Sequence, residues 1–195
     1  MDKLKTSPAV LLEKVEVQTI EMECLHRVFD NLVNQTQKSE KEGKGKIGPQ
    51  DLMKILTNLG LKLLKSEVAL YIWEVDDDLD GFISWDEYMR MYKRSISDET
   101  GLEPRRLFNL VQFLMYDKEF KGKVTVEETL QIMYVRYGRE HLDDEIEKIF
   151  GHEENNADGS EKTISFGDYC EKVNERALDD FKKNKKKKVV MPGDE

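Results

Sequence analysis

Apolar residues recur at three- and four-residue steps in eight stretches, which predicts eight helices that each bury one face. Met22, Leu25, Phe29 and Leu32 mark the first, and Leu52, Ile55, Leu56 and Leu59 the second. Val68, Ile72, Trp73 and Val75 mark the third, and Trp85, Tyr88, Met89 and Tyr92 the fourth. Leu107, Val111, Leu114 and Met115 are followed by Leu130, Met133, Tyr134 and Tyr137. Leu142, Ile146, Ile149 and Phe150 are followed by Phe166, Tyr169, Cys170 and Val173. Within each pair a β-branched residue stands between polar neighbours: Lys46-Ile47-Gly48, Phe82-Ile83-Ser84, Lys123-Val124-Thr125 and Thr163-Ile164-Ser165. The central residues are 36, 41 and 40 positions apart, so the chain is a fourfold repeat of helix–loop–helix units.

Helix-start signals agree with this division. Pro49 and Pro104 suit first-turn positions, Ser66 suits an N-cap, and Thr125 with Glu128 forms a capping box. A lone unit leaves an apolar face and an unpaired backbone segment exposed, so two units should pack and join their loops by a short antiparallel pairing. Ile47 should therefore face Ile83, and Val124 should face Ile164. The fold expected is all-α, with two lobes: residues 19–98 and 99–178, joined by the polar connector from Ser95 to Gly101. Residues 1–18 form an N-terminal extension, with a short helix expected from Pro8 to Val15, and residues 179–195 a basic tail.

Composition narrows the chemistry. At 195 residues, 38% hydrophobic and 36% charged, the chain is too short for a long multidomain enzyme. It has no apolar run of the roughly 20 residues needed to span a bilayer and no apolar signal stretch, so a soluble intracellular chain is expected. Cys24 and Cys170 form no Cys-x-x-Cys or Cys/His cluster and read as free, partly buried thiols. The formal charge of −9 disfavours sequence-specific nucleic-acid binding and favours cations or basic segments. Lys182–Lys188 runs against that trend. It suits either an acidic microtubule or membrane surface, or a disordered solubilising end.

Acidic residues concentrate in one place. Asp76-Asp77-Asp78-Leu79-Asp80-Gly81-Phe82-Ile83-Ser84-Trp85-Asp86-Glu87 satisfies D-x-[DN]-x-[DN]-G-x₅-E throughout. Calcium takes six to eight oxygens at roughly 2.3–2.6 Å, which short carboxylates at alternate positions can supply only where the backbone wraps around the ion. Asp76, Asp78 and Asp80 provide such carboxylates, the Phe82 carbonyl and Ser84 follow, and Glu87 closes the shell with both oxygens. Gly81 permits the sharp turn. Asp77 and Asp86 contribute field rather than coordination. The ion implied is Ca²⁺, with Mg²⁺ competing for the same site.

The other loops depart from this pattern. The third, from Asp117 to Glu128, keeps its end positions but has Lys121 where a carboxylate is needed. The first carries Lys44 at a ligand place and ends at Asp51. The fourth has Ala157, Gly159 and Glu161 at alternate places, Lys162 instead of glycine, and Asp168 at its end. These three read as metal-free braces.

On the Asp76–Glu87 loop and its three siblings, the chain resembles the EF-hand superfamily, with a two-lobed layout like calmodulin, troponin C and centrin over residues 19–178. Thr100-Gly101-Leu102-Glu103-Pro104-Arg105-Arg106-Leu107-Phe108-Asn109 and Ile132-Met133-Tyr134-Val135-Arg136-Tyr137-Gly138 are similar to the small EF-hand subunits of outer dynein arm docking complexes in cilia and flagella. That resemblance implies a non-catalytic adaptor in the axonemal cytoskeleton. It would sit with coiled-coil docking subunits on doublet microtubules, help dock outer dynein arms, and tune motility through Asp76, Asp78, Asp80, Phe82, Ser84 and Glu87. The alternative is a free calmodulin-like sensor that captures target helices; a calcium buffer is a third.

Other features read as ordinary structure. Met22, Met53, Met89, Met91, Met115 and Met133 suit core packing better than a partner groove. Arg105, Arg106, Arg136 and Arg139 either grip acidic residues of a partner or form a solvated face. His26, His141 and His152 share no ligand spacing and read as surface or capping residues. No phosphate loop, His-Glu-x-x-His or Gly-x-Ser-x-Gly occurs, so no catalysis is expected.

Overall fold

The apolar spacing is realised as seven helices and two short strands among the described residues of a computed structural model. It describes residues 12, 15–36, 43–98, 100–151, 156 and 159–189, with side chains described up to residue 178. The helix expected from Pro8 to Val15, Ala157 and His152 therefore lie largely or wholly outside the described residues. Among the described residues no helix is long and apolar enough to cross a membrane. The chain divides into two compact units, residues 1–122 and 123–195.

The first unit holds α1 (Thr19–Val33), α2 (Pro49–Asn58), α3 (Lys65–Trp73), α4 (Trp85–Ser97) and α5 (Arg106–Tyr116). Pro49 occupies the first turn of α2, where its missing N–H leaves no bond unmade. Ile47 and Ile83 exchange backbone hydrogen bonds of 2.9 and 2.8 Å, as expected, and both are fully buried. They tie the loop before α2 to the loop before α4. Around them Leu25, Val28, Leu32, Leu52, Leu56, Tyr88 and Tyr92 are closed to solvent.

Two start signals fall elsewhere. α3 begins one residue before Ser66, and Pro104 precedes Arg105, the residue that caps α5. Trp73, expected on a buried face, is 73% exposed at the end of α3.

The division expected near residue 99 comes instead after Gly122, because α5 belongs with the first four helices. It packs on α1, α3 and α4. Arg27 of α1 donates to the carbonyls of Leu114 (3.0 Å), Met115 (2.9 Å), Asp117 (3.4 Å) and Lys118 (3.2 Å), satisfying the open carbonyls at the C-terminal end of α5. At the other end, Glu74 accepts from the Arg106 N–H at 3.2 Å and pairs with its guanidinium. Phe108 lies 5.8 Å from the Tyr92 ring.

The connector is also more structured than its polar composition suggests. α4 includes Ser95–Ser97, and the Asp98 carboxylate then accepts from the N–H groups of Thr100 (2.8 Å), Gly101 (3.0 Å) and Glu103 (3.1 Å). Arg105 pairs with it at 3.2 Å.

The second unit starts with β1 (Lys123–Thr125), which pairs antiparallel with β2 (Thr163–Ser165) so that Val124 meets Ile164. α6 (Val126–Phe150) is interrupted at Gly138, whose φ of 70° and ψ of 174° suit glycine. Its two halves are the sixth and seventh helices of the eight expected. Glu145 is buried in the second half and bonded to Arg176 (2.8 Å) and Lys148 (2.8 Å). α7 (Phe166–Val189) packs on α6 and continues through the lysine run.

Candidate metal centre

Each unit ends its loop in the same way. Asp51, Glu87, Glu128 and Asp168 stand one turn into α2, α4, α6 and α7. Each accepts the backbone N–H three residues earlier: Gly48 at 2.7 Å, Ser84 at 2.8 Å, Thr125 at 2.9 Å and Ser165 at 3.4 Å. A carboxylate there satisfies an orphan donor and lies where the helix dipole favours negative charge. The final position is thus a capping residue in all four repeats, whatever else the loop carries.

Among the described residues, only the second loop brings a set of acids together. Asp76, Asp78 and Asp80 each direct a carboxylate oxygen into a group spanning no more than 4.8 Å, the one such trio of His, Cys, Asp or Glu among the described residues. Backbone bonds set this geometry. Asp76 accepts from the N–H of Asp80 (3.1 Å) and Gly81 (2.9 Å), Asp78 from that of Asp80 (3.1 Å), and Asp80 from that of Phe82 (2.9 Å). Gly81 has φ 82°, and Leu79 also takes a positive φ, 60°.

Glu87 is 4% exposed and reaches back across the loop. Its Oε1 accepts from the N–H of Asp77 at 2.9 Å and of Asp78 at 3.4 Å, while Oε2 accepts from the Ser84 hydroxyl at 2.6 Å. Burial pushes its carboxyl pKa up, but the Ser84 hydroxyl and the N–H groups of Ser84, Asp77 and Asp78 outweigh that and hold it below the ordinary range. Glu87 is therefore an anion linking the start and end of its loop. The donor set is entirely hard oxygen, which suits Ca²⁺ and, less readily, Mg²⁺. Asp76, Asp78, Asp80, Ser84 and Glu87 would hold the ion, with the Phe82 carbonyl as a backbone donor. Arg90 pairs with Asp77, which keeps that acid engaged outside the ligand set.

The third loop shows what remains when one of those acids is replaced. Asp117 accepts from the N–H of Lys121 (2.9 Å) and Gly122 (2.6 Å), the bonds Asp76 makes to Asp80 and Gly81. Phe120, with φ 54°, repeats Leu79, and Gly122 repeats Gly81. Backbone shape is kept while Lys121 replaces a ligand. In the first loop, Thr36 donates to Asp51 at 2.5 Å, and the Phe82 ring packs over Gly43 and Gly48. Residues 43–95 match the family model for an EF-hand domain pair. Those residues are similar to an EF-hand pair.

Named relatives are similar to this chain over more of its length. "Probable calcium-binding protein CML25" of Arabidopsis thaliana is 28% identical over 81% of this chain and 77% of its own length. Troponin C isoform 1 of Balanus nubilus is 26% identical over 80% of this chain and 92% of its own. Troponin C isoform 2A of Homarus americanus is 27% identical over 77% and 93%. None of the three bears the name of an enzyme.

Two participants escape a reading by motif. Lys46 extends from the first loop to pair with Asp80 and lies 3.7 Å from Asp78. Its ammonium holds the Asp80 carboxyl below the usual range, and Asp80 in turn raises the lysine pKa. The only hint in the sequence is its place beside Ile47, since antiparallel pairing of Ile47 with Ile83 sets Lys46 across from Ser84. The other is His26 of α1, which is exposed as expected but also stacks on Trp85, with centroids 4.1 Å apart.

Proposed function

We propose that this protein binds one calcium ion through the second loop of its EF-hand pair and serves as a non-catalytic adaptor. The observation that carries the reading is the convergence of Asp76, Asp78 and Asp80 in a loop closed by Glu87. The name of the Arabidopsis relative, a probable calcium-binding protein, supports calcium as the ion. Calorimetry on the wild type and Glu87→Gln tests it, with one calcium site expected in the first and loss of that site in the second.

Adaptor is favoured over a free sensor by α5. A sensor opens a groove between its helices for a target helix, whereas α5 of the same chain already packs on α1, α3 and α4 and is bonded at both ends. The setting we propose is the ciliary axoneme. There the chain would join coiled-coil subunits of an outer dynein arm docking complex on microtubules, a placement that rests on the resemblance of residues 100–109 and 132–138. Co-purification with those subunits that survives calcium chelation is the expected result. Strict dependence on calcium would favour the free sensor instead.

A further inference from the structure

We propose that Lys46 is a built-in competitor for the metal site, a tethered cation that must leave the loop before a divalent ion can be fully bound. The inference rests on the calcium reading of Asp76–Glu87 and concerns what sets the affinity there.

The backbone gives Lys46 little choice of position. Its own N–H donates to the Gly43 carbonyl at 3.0 Å, closing a turn, and its neighbour Ile47 is held to Ile83 by two backbone bonds. Glycines at 43 and 45, with φ of 77° and 79°, allow the chain to turn so tightly ahead of it. The side chain therefore starts from a fixed point beside the second loop. Its ammonium pairs with Asp80 Oδ2 and lies 3.7 Å from Asp78 Oδ2. These are two of the three carboxylates that form the ligand group. Arg90 makes a comparable pair with Asp77, outside that group.

An ammonium between two ligand carboxylates offsets their mutual repulsion in the metal-free loop, and that gain is lost when a divalent ion takes the same oxygens. The lysine side chain is 29% exposed and its partners are 37% and 59% exposed, so the pair is open to water and weak enough to exchange. On metal binding its flexible stem can carry the charge out to solvent. The first loop, which lacks the acids to hold an ion, thereby raises the calcium concentration at which its partner fills. Mg²⁺, using the same oxygens, meets the same competitor.

Calcium titrations of the full chain as wild type, Lys46→Gln, Lys46→Arg and Arg90→Gln test this. Displacement of a cation a few ångströms from the ion predicts that Lys46→Gln tightens calcium binding by about tenfold, while Lys46→Arg stays near wild type. Arg90→Gln, on α4, removes a like charge from beside the same acidic loop without freeing a ligand, so its gain should stay below about threefold. Equal gains in Lys46→Gln and Arg90→Gln would reduce the effect to net charge and overturn the proposal, as would an unchanged Lys46→Gln. If calcium binds the wild type and Glu87→Gln abolishes it while Lys46→Gln changes nothing, only the competitor fails. If neither the wild type nor Lys46→Gln binds calcium, the metal site itself fails and takes the competitor with it.

Discussion

His26 lies flat on Trp85, with ring centroids 4.1 Å apart and planes 11° from parallel. Phe29 meets the same indole edge-on at 5.1 Å, so α1 grips the first residue of α4 two positions before Glu87. A change in how Glu87 is held moves Trp85 against α1. Tryptophan emission should therefore respond to calcium, and the response should survive Trp73→Phe and vanish in Trp85→Phe. A response that follows Trp73 instead would contradict this coupling.

Arg27 joins the two ends of the first unit by donating to four carbonyls at the end of α5. Charge-assisted bonds of this kind contribute more than neutral ones. Arg27→Met should destabilise the unit by about 1–3 kcal/mol, measured by urea unfolding followed through tryptophan emission.

The Asp98 turn gives a pH dependence of known sign. Burial raises its pKa, but the Thr100 hydroxyl and the N–H groups of Thr100, Glu103 and Gly101 outweigh this and bring it down to about 2. A carboxyl with a depressed folded pKa stabilises above its unfolded value of 3.8, and that stabilisation is lost as pH falls toward about 2. Asp98→Asn should lower stability at pH 7 and show a shallower loss between pH 4 and 2 than the wild type, as read by the same unfolding assay.

The acidic loop and the repeat were legible because their signals are local: the spaced acids, a glycine and a capping acid lie within twelve residues. The bridges Ile47–Ile83 and Val124–Ile164 were legible because the repeat dictates the partners. What was not legible depends on contacts distant in sequence. Lys46 meets Asp80 across 34 positions, and Arg27 meets Leu114 across 87. Without that second contact, the polar stretch after α4 looks like a boundary, although Asp98 folds it into a turn and α5 stays with the first unit. Trp73 misled because helical spacing marks a face without saying whether anything covers it.

The Phe82 ring of the second loop packs against Gly43 of the first. An added Cβ would lie 2.6 Å from Phe82 Cδ1, at a φ of +77° that side chains rarely adopt. Gly43→Ala should destabilise the first unit by about 1–3 kcal/mol and weaken calcium binding by displacing Phe82, checked by unfolding and titration together.

The most direct test is a calcium titration by calorimetry of the full chain beside Glu87→Gln, with circular dichroism showing that both remain helical. One site in the wild type, in the range of about 10⁻⁷–10⁻⁵ M, and none in Glu87→Gln is the predicted result. A second tight site, or a variant that binds as well as the wild type, would contradict it.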